Sequence, residues 1–391
     1  MTTTAAASAT PEPLRALWLT ETYPPSRGGM AQSCDRIVRG LRRRGVLVDV
    51  LHFVPNARGR TWVIEEQAGG RYLACPIEDD PAHALNRAWS TLQARPVDYT
   101  HVVAFGGSRP IMAGPVLAAW LGVPLITLIR GNDFDAAVFS TRRRPILDEA
   151  LRRSAVVVAN SRSKVERIAA MHPETRVRWI PNGIEADWTL APSDRAQANA
   201  FRATHDRLTL GLFGQLKAKK GGVFLLDALV RSGVADRFHL LLAGWMAPDM
   251  EAWLAEHEGE LDVTTLPFLD RYELLPWYAA CDWLAIPSFY DGLPNVLVEA
   301  AALGVPMLAS RVDGMADVLV DGETALLFEP GDEARAAWAL QRAARLEPAE
   351  RERMADACRE LARTTLDGDR EIDAYVDALE QTRDGLLTAV R

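Results

Sequence analysis

Residues 283–310 constrain the fold more than any other part of this sequence. An apolar run that ends at Pro287 predicts a buried strand, and the glycine and proline of residues 288–294 exclude a helix directly after it. A helical pattern starts at Pro294, because proline suits a first helical turn, and residues 305–309 form a second apolar run. The order strand, loop, helix, strand predicts a parallel α/β unit.

This unit carries two carboxylates. Asp291 lies in the loop and Glu299 lies inside the helix, within about two turns of each other, so both can border one ligand. The helix N-terminus has free N–H groups and the positive end of the dipole, which favour an anion such as phosphate. The alternative is an aspartate that caps the helix and a glutamate in solvent.

The stretch from Asp291 to Glu299 resembles the E-x7-E signature of glycosyltransferase family 4, with aspartate in place of the first glutamate. The resemblance implies that Asp291 faces the donor sugar and that Glu299 holds the ribose of the nucleotide. It also implies that the intervening residues bind the donor near its diphosphate, and those proposed here are Gly292, Leu293, Pro294 and Asn295. The implied fold is α/β of the GT-B type, with two facing Rossmann-like, doubly wound domains and a cleft between them.

The length of 391 residues exceeds the size at which one hydrophobic core stops growing, which favours two domains. The predicted division is a disordered tail (1–13), an N-terminal acceptor domain (14–190), a connector (191–206) and a C-terminal donor domain (207–367). By the resemblance, a last helix (368–391) returns to the first domain.

Charge and composition exclude several classes of protein. A net charge of -8 argues against broad nucleic-acid binding. The four cysteines are far apart, so neither a disulfide framework nor a metal site is predicted. The N-terminus has no signal-peptide pattern, and no apolar stretch is long enough to cross a bilayer. We therefore expect a cytoplasmic protein.

A glycine pair, Gly28 and Gly29, separates the first predicted strand from a helix over residues 30–44. Glycines allow the backbone to approach a ligand closely, and the pair resembles the donor-binding loop of the same family. A plain tight turn is the alternative. The arginines near the end of the helix predict a solvated face, and weak contact with an acidic membrane surface stays open.

Polar residues follow two further predicted strands of the first domain. Gly107 and Ser108 follow one strand, and Arg130 and Asp133 follow another, so both groups should lie at the carboxyl edge where α/β sheets bind ligands. Gly107, Ser108 and Asp133 are candidates for the acceptor side. Arg130 stands where the family often has histidine, and this fixed cation is a candidate catalytic residue. The alternative is a structural pair with Asp133 or Asp135.

The second domain opens with a strand and a lysine-rich turn before a helix. Cations crowded at a helix N-terminus call for an anion, and the segment resembles the family pattern G-R-x-x-x-x-K-G, which binds the diphosphate. Gly214 and Lys220 match this pattern, while Gln215 replaces the arginine. Lys217 or Lys219 could supply the missing charge. An exposed lysine-rich turn is the alternative.

Two more segments complete the predicted donor site. Asn182 belongs to a Pro-Asn-Gly turn that the family places at the crossing between domains. Phe268 and Leu269 lie in the loop that the family places at the nucleotide base.

The sequence predicts a retaining glycosyltransferase with Asp291, Lys220 and Arg130 as catalytic residues. The resemblance also implies a nucleotide-diphosphate sugar as co-substrate and no obligatory cofactor or metal. The acceptor is a hydroxyl or another nucleophile, and the sequence leaves base, sugar, acceptor and oligomeric state open. The alternatives are a sugar-nucleotide epimerase and a non-catalytic nucleotide-sugar-binding protein. A nicotinamide dehydrogenase is disfavoured, because no G-x-G-x-x-G follows the first strand.

Overall fold

The computed structural model describes residues 13–55, 63–77 and 80–389. The predicted disordered tail therefore lies outside the described residues except for Pro13, and so does Trp62 of a hairpin predicted over residues 62–74. Among the residues described, no helix is both long and apolar enough to cross a bilayer.

The first half of the chain forms an eight-stranded sheet in the order β3-β4-β2-β1-β5-β6-β7-β8. All neighbouring strands are parallel except the hairpin β3-β4. The strands are β1 (Arg15–Thr20), β2 (Leu47–Pro55), β3 (Val63–Gln67), β4 (Gly70–Ile77), β5 (His101–Phe105), β6 (Leu125–Ile129), β7 (Ser154–Ala159) and β8 (Val177–Trp179). The helices are α1 (Gly29–Arg43), α2 (Pro81–Ala94), α3 (Ser108–Leu121), α4 (Asn132–Val138), α5 (Arg144–Arg153) and α6 (Arg162–Met171).

The second half forms a six-stranded parallel sheet in the order β11-β10-β9-β12-β13-β14. Its strands are β9 (Leu208–Leu216), β10 (Phe238–Met246), β11 (Asp262–Leu266), β12 (Trp283–Ile286), β13 (Met307–Ser310) and β14 (Ala325–Phe328). The remaining helices are α7 (Pro192–Arg202), α8 (Gly222–Ser232), α9 (Pro248–Glu256), α10 (Leu275–Ala280), α11 (Asn295–Ala302), α12 (Asp313–Ala316), α13 (Glu333–Arg345), α14 (Pro348–Thr364) and α15 (Gly368–Ala389).

The central strands of both sheets are buried along their whole length, as in β5, β6, β12 and β13. Parallel strands covered by helices on both faces read as continuous apolar runs, which is why the sequence predicted them well. The carboxyl ends of the strands carry the candidate site residues.

Two predicted elements differ from the structure. Strand β9 continues through Gly214 and Gln215, because both residues pair in register with β10, and this pairing overrides the glycine break. The sequence of residues 271–281 predicts a helix over that whole range. The helix begins only at Leu275, because the Asp270 side chain accepts the backbone N–H groups of Tyr272 and Glu273 in a turn.

Helix α15 packs back against α1. The guanidinium of Arg36 forms a buried ion pair with Glu371 at 3.0 Å, and a Cβ on Gly40 would meet Ile372 at 2.5 Å. Arg44 forms exposed pairs with Asp369 and Asp373 on the same helix. The last helix therefore joins the end of the chain to its first half.

Candidate active site

The first turn of α11 faces the loop that follows β12. Pro294 occupies the position before the helix, and no side chain caps the first turn, so its N–H groups point into the loop. Gly292 lies so close to the first half that a Cβ would stand 2.9 Å from Oδ1 of Asn160. A residue with a Cβ at this position would force the Asn160 side chain to move.

Lys220 and Asp291 form an ion pair beside this helix N-terminus, in which the lysine Nζ donates to Oδ2 of the aspartate. The backbone N–H of Gly292 donates to the other carboxylate oxygen at 3.0 Å. Gly221 makes the pair geometrically feasible, because its φ is 69° and a Cβ there would collide with the carbonyl oxygen of Pro287. Asp291 is thus neither a free surface residue nor the cap of α11.

The other lysines of the turn lie close by. Burial lowers the pKa of Lys219, the carboxylates of Asp291 and Asp135 oppose that shift, and Lys220 and Lys217 add to it. The Nζ of Lys217 donates to Oε1 of Gln215 at 2.8 Å. A cation therefore stands at the glutamine that replaces the family's arginine.

Glu299 is buried on the inner side of α11, with only 5% of its side chain exposed. The Tyr278 hydroxyl donates to Oε2 at 2.8 Å, and Arg271 Nε lies 3.9 Å from the carboxylate. Burial raises the pKa of Glu299, while Arg271 and Tyr278 act in the opposite direction. The alternative of a glutamate in solvent was wrong.

Sequence reasoning missed the partners of Glu299. The Arg271 guanidinium forms two hydrogen bonds of 3.0 Å with Glu185 and lies 4.5 Å from the ring of Trp188. These residues are far from Glu299 along the chain. The only available signal was that a carboxylate on the apolar face of a helix needs a partner.

The glycine loop of the first half contacts the start of α11. The Asn295 side-chain amide donates to the carbonyl oxygen of Gly29 at 3.0 Å, and the Ser33 hydroxyl donates to Oδ1 of Asn295 at 3.1 Å. The Asn182 amide donates to the Leu293 carbonyl oxygen at 2.6 Å. Gly28 directly precedes α1 and is adjacent to Gly29. These hydrogen bonds bring the glycine loop of the first half to the start of α11 in the second half.

Arg130 has different partners from those predicted. Its side chain is 1% exposed, and the guanidinium donates to the Tyr375 hydroxyl at 2.7 Å and to Oδ1 of Asn182. The Asp133 carboxylate accepts only backbone N–H groups, from Arg130 at 3.0 Å and Gly131 at 2.8 Å. The alternative of a structural side-chain pair with Asp133 or Asp135 was therefore wrong, while the catalytic role of Arg130 stays a prediction. The guanidinium also lies 3.8 Å from the buried carboxylate of Glu371, so in this structure it serves the contact between the two halves.

The remaining predicted residues follow strand β5 in the first half and strand β11 in the second. At the N-terminus of α3, next to Gly107 and Ser108, Glu21 accepts the backbone N–H of Arg109 at 2.8 Å. In the second half, the Phe268 ring is exposed and lies 5.2 Å from the Arg27 guanidinium of the first half, with Leu269 beside it.

Two family models match the chain, one in each half. Residues 28–183 match a glycosyl transferase 4-like domain, and residues 207–345 match glycosyl transferases group 1. A D-inositol 3-phosphate glycosyltransferase of Mycobacterium sp. (strain KMS) is 29% identical over 215 residues, which cover 52% of this chain and 47% of that protein. The chain thus spans about half the length of this relative.

Solved structures show the same architecture. Sucrose-phosphate synthase of Thermosynechococcus elongatus superposes with a TM-score of 0.79 at 20% identity, covering 96% of this chain and 100% of that one. An Anabaena protein crystallised with UDP-glucose superposes with a TM-score of 0.75 at 18% identity, covering 94% and 100%. At these identities the likeness concerns the fold, and it confirms the predicted GT-B architecture.

Proposed function

Because the chain belongs to glycosyltransferase family 4, we propose that it transfers a sugar from a nucleoside-diphosphate sugar to an acceptor hydroxyl, with retention at the anomeric carbon. The observation that carries the proposal is the Lys220–Asp291 pair beside the uncapped N-terminus of α11. These groups supply a cation, free N–H donors and a carboxylate at one place, where a diphosphate and the attached sugar would meet them.

The reaction breaks the bond between the anomeric carbon and a phosphate oxygen and forms a bond to the acceptor oxygen. Negative charge grows on the leaving diphosphate, and the sugar gains oxocarbenium character. Lys220 and the N–H groups of α11 stabilise the first charge, and Asp291 orients or stabilises the sugar. The acceptor proton passes to the leaving phosphate oxygen, so no separate protein base is needed.

The ion pair holds the side chains of Lys220 and Asp291 in place before the donor binds. The ammonium has three N–H donors and can bind a phosphate oxygen without fully releasing its carboxylate partner. The Asp291 carboxylate then accepts a hydrogen bond from a sugar hydroxyl.

Other predicted residues receive roles in the same proposal. Glu299 accepts hydrogen bonds from the ribose hydroxyls, and Lys217 with Gln215 meets the diphosphate. Phe268 and Leu269 flank the base. Residues 14–190 form the acceptor side and residues 207–367 the donor side, with the connector 191–206 and the helix 368–391 joining them.

The role of Glu299 is tested by nucleotide binding. Glu299→Ala should weaken binding of the nucleoside diphosphate by about 1.5 to 3 kcal/mol, the size of a lost hydrogen bond to a charged group. UDP, GDP, ADP and TDP are screened by thermal shift, and the one that binds is titrated calorimetrically. Glu323→Ala, at an exposed turn, is the control.

Glu299→Gln serves as a second variant that keeps the volume of the buried side chain. Unchanged affinity in both variants, with circular dichroism of the parent protein, would remove the assigned ribose contact. Mass spectrometry with the matching sugar donor, with and without acceptors, then separates transfer from isomerisation of the donor.

A further inference from the structure

A cavity of about 630 Å³ lies between the two halves of the molecule, next to the proposed donor site. Helices α4 and α6 of the first half form one wall, and the loops after β12 and β13 form the other. The side chains that matter are Asp135, Arg167, Phe289, Tyr290, Arg311 and Asp313. Tyr290 directly precedes Asp291, so the cavity begins where the reacting sugar would lie.

Two aromatic rings that line this cavity are exposed to solvent. Phe289 is 39% exposed and Tyr290 is 42% exposed, although large aromatic side chains are usually buried. Nζ of Lys219 lies 5.3 Å from the centre of the Tyr290 ring, and Phe224 packs 5.6 Å from Phe289. Both rings are therefore supported by neighbouring side chains and present area to a ligand at low entropic cost.

The charged residues around the rings neutralise one another. The fully buried Lys164 lies 3.3 Å from Asp135 and 3.5 Å from Asp313. The half-exposed Arg167 reaches the same two carboxylates at 3.7 Å and 3.4 Å. The pairing with the buried Lys164 fixes both carboxylates in place. A carboxylate has about four acceptor positions, so each can still accept a hydrogen bond from a ligand.

The second arginine of the cavity, Arg311, also has a carboxylate partner. Arg311 pairs with Glu329 at 3.2 Å. The charged residues that line the cavity are two arginines, Arg167 and Arg311, and two carboxylates, Asp135 and Asp313, so the lining carries no net charge. A surface with no excess charge attracts neither a phosphate nor a cation over long range.

The backbone conformation of Asp313 is a further sign of a ligand site. Its φ of 32° makes it the non-glycine residue with a positive φ in the described part of the chain, and the Ser163 hydroxyl donates to its carboxylate at 2.7 Å. Strained backbone of this kind persists where the surroundings over-determine it and is concentrated at ligand sites.

We propose that this cavity binds an uncharged sugar ring of the acceptor, an inference that rests on the proposed glycosyl transfer. The apolar C–H face of a pyranose packs on the Tyr290 and Phe289 rings. Its hydroxyls donate to Asp135 and Asp313 and accept from Arg167 and Arg311. One hydroxyl then points toward Asp291 and the anomeric carbon of the donor.

The test measures the binding of sugars to the full chain by saturation-transfer NMR and calorimetry. The probes are the methyl glycosides of glucose, galactose, mannose and N-acetylglucosamine and the matching 6-phosphates. At least one neutral glycoside should saturate the protein, and its 6-phosphate should bind no more tightly. Tyr290→Ala should weaken that binding at least tenfold, whereas Tyr290→Phe, which keeps the ring, should bind like the parent.

Phe139→Ala is the matched control, because Phe139 is an aromatic residue that is 92% exposed outside the cavity, and its binding should not change. Asp313→Asn provides a charge test, since asparagine tolerates the same backbone conformation. It leaves the cavity with an excess positive charge and should shift the preference toward the 6-phosphates.

Three results would overturn the inference: no neutral glycoside binds, only the phosphates bind, or Tyr290→Ala binds like the parent. Nucleotide binding by the parent and by Glu299→Ala is measured separately. A chain that binds a nucleoside diphosphate but no glycoside loses this inference alone, while a chain that binds neither also loses the proposed function.

Discussion

At the scale of single residues, the candidate site departs from the family pattern at two positions, and both departures have partners. Asp291 has a side chain one methylene shorter than glutamate, and the Lys220 ammonium lies directly against it. Gln215 lacks the charge of arginine, and Lys217 places an ammonium 2.8 Å from its side-chain oxygen. We propose that each neighbouring lysine compensates for the substitution beside it.

Lys220 should contribute far more to turnover than Lys217. Lys220→Ala removes a cation that stabilises the leaving diphosphate, so kcat should fall by about 10²–10³-fold. Lys217→Ala removes a cation that is exposed to solvent, where its attraction to the diphosphate is screened to less than about 1 kcal/mol, so kcat should fall by roughly fivefold or less. Steady-state kinetics on both variants, with folding checked by circular dichroism, decide the point. A folded Lys220→Ala variant with full activity would contradict the assignment.

The buried Glu299 should make nucleotide affinity depend on pH. Its pKa is raised by burial above the ordinary value of 4.5, and ribose hydroxyls donate stronger hydrogen bonds to the ionised carboxylate than to the protonated acid. Binding therefore favours loss of the proton, so affinity should increase as pH rises through that pKa and then level off. Glu299→Gln cannot ionise, and the ratio of parent to variant affinity, measured by calorimetry from pH 4.5 upwards, should show the rise. A flat ratio would contradict it.

At the scale of elements, contacts between distant helices position the site. The turn before α8 lies against the loop after β12 because Gly221 allows the approach, and this contact brings Lys220 to Asp291. Helix α15 holds α1 through Arg36 and Glu371, while the Glu371 carboxylate also accepts the backbone N–H of Gly183 at 2.9 Å. The crossing between the halves is therefore fixed by the last helix.

The buried pair between α1 and α15 should matter more for stability than the exposed pairs beside it. Arg36→Ala leaves Glu371 buried without its main partner, which should lower the free energy of unfolding by about 3–5 kcal/mol. Arg44→Ala breaks only exposed pairs and should cost less than about 1 kcal/mol. Urea unfolding of both variants measures the difference, and equal midpoints would show that the buried pair does not hold α15.

At the scale of the whole molecule, two groups of hydrogen bonds and ion pairs join the two halves, in addition to the contact of Arg27 with Phe268 and the approach of Gly292 to Asn160. One is the contact of Gly29, Ser33 and Asn182 with the start of α11. The other lies between α6 and α12, where Lys164 and Ser163 meet Asp313. Closure of the cleft therefore depends on polar contacts, which can open and re-form more readily than an apolar interface.

Lys164→Met should open the cleft. The variant leaves Asp135 and Asp313 facing each other across a buried interface with less compensating charge, and the halves should separate to hydrate them. A compact chain of this length has a radius of gyration of roughly 21 Å, and small-angle X-ray scattering should find a larger value for the variant. Arg207→Ala, which breaks an ion pair within the second half, is the control and should keep the parent value.

The sequence predicted the fold class and the placement of the site at strand ends because those features depend on local pattern. Continuous apolar runs mark β12 and β13, and a proline after a glycine-containing loop marks the start of α11. The pattern of residues 162–171 likewise predicts a helix with Ser161 as its cap, and this agrees with α6, whose first turn is capped by Ser161. Such signals lie within a few residues of each other and need no partner elsewhere.

What the sequence could not determine is which distant groups meet. Arg130 follows a strand, as predicted, yet its guanidinium contacts Tyr375 and Asn182, and Glu299 finds Tyr278 and Arg271. A buried charge takes whichever partner the packing brings within reach, since leaving it unpaired costs several kcal/mol. The sequence by itself therefore determined the order of strands, loops and helices and the residues at their ends. Tertiary structure alone decided the ion pairs, because these depend on how helices far apart in the chain pack together.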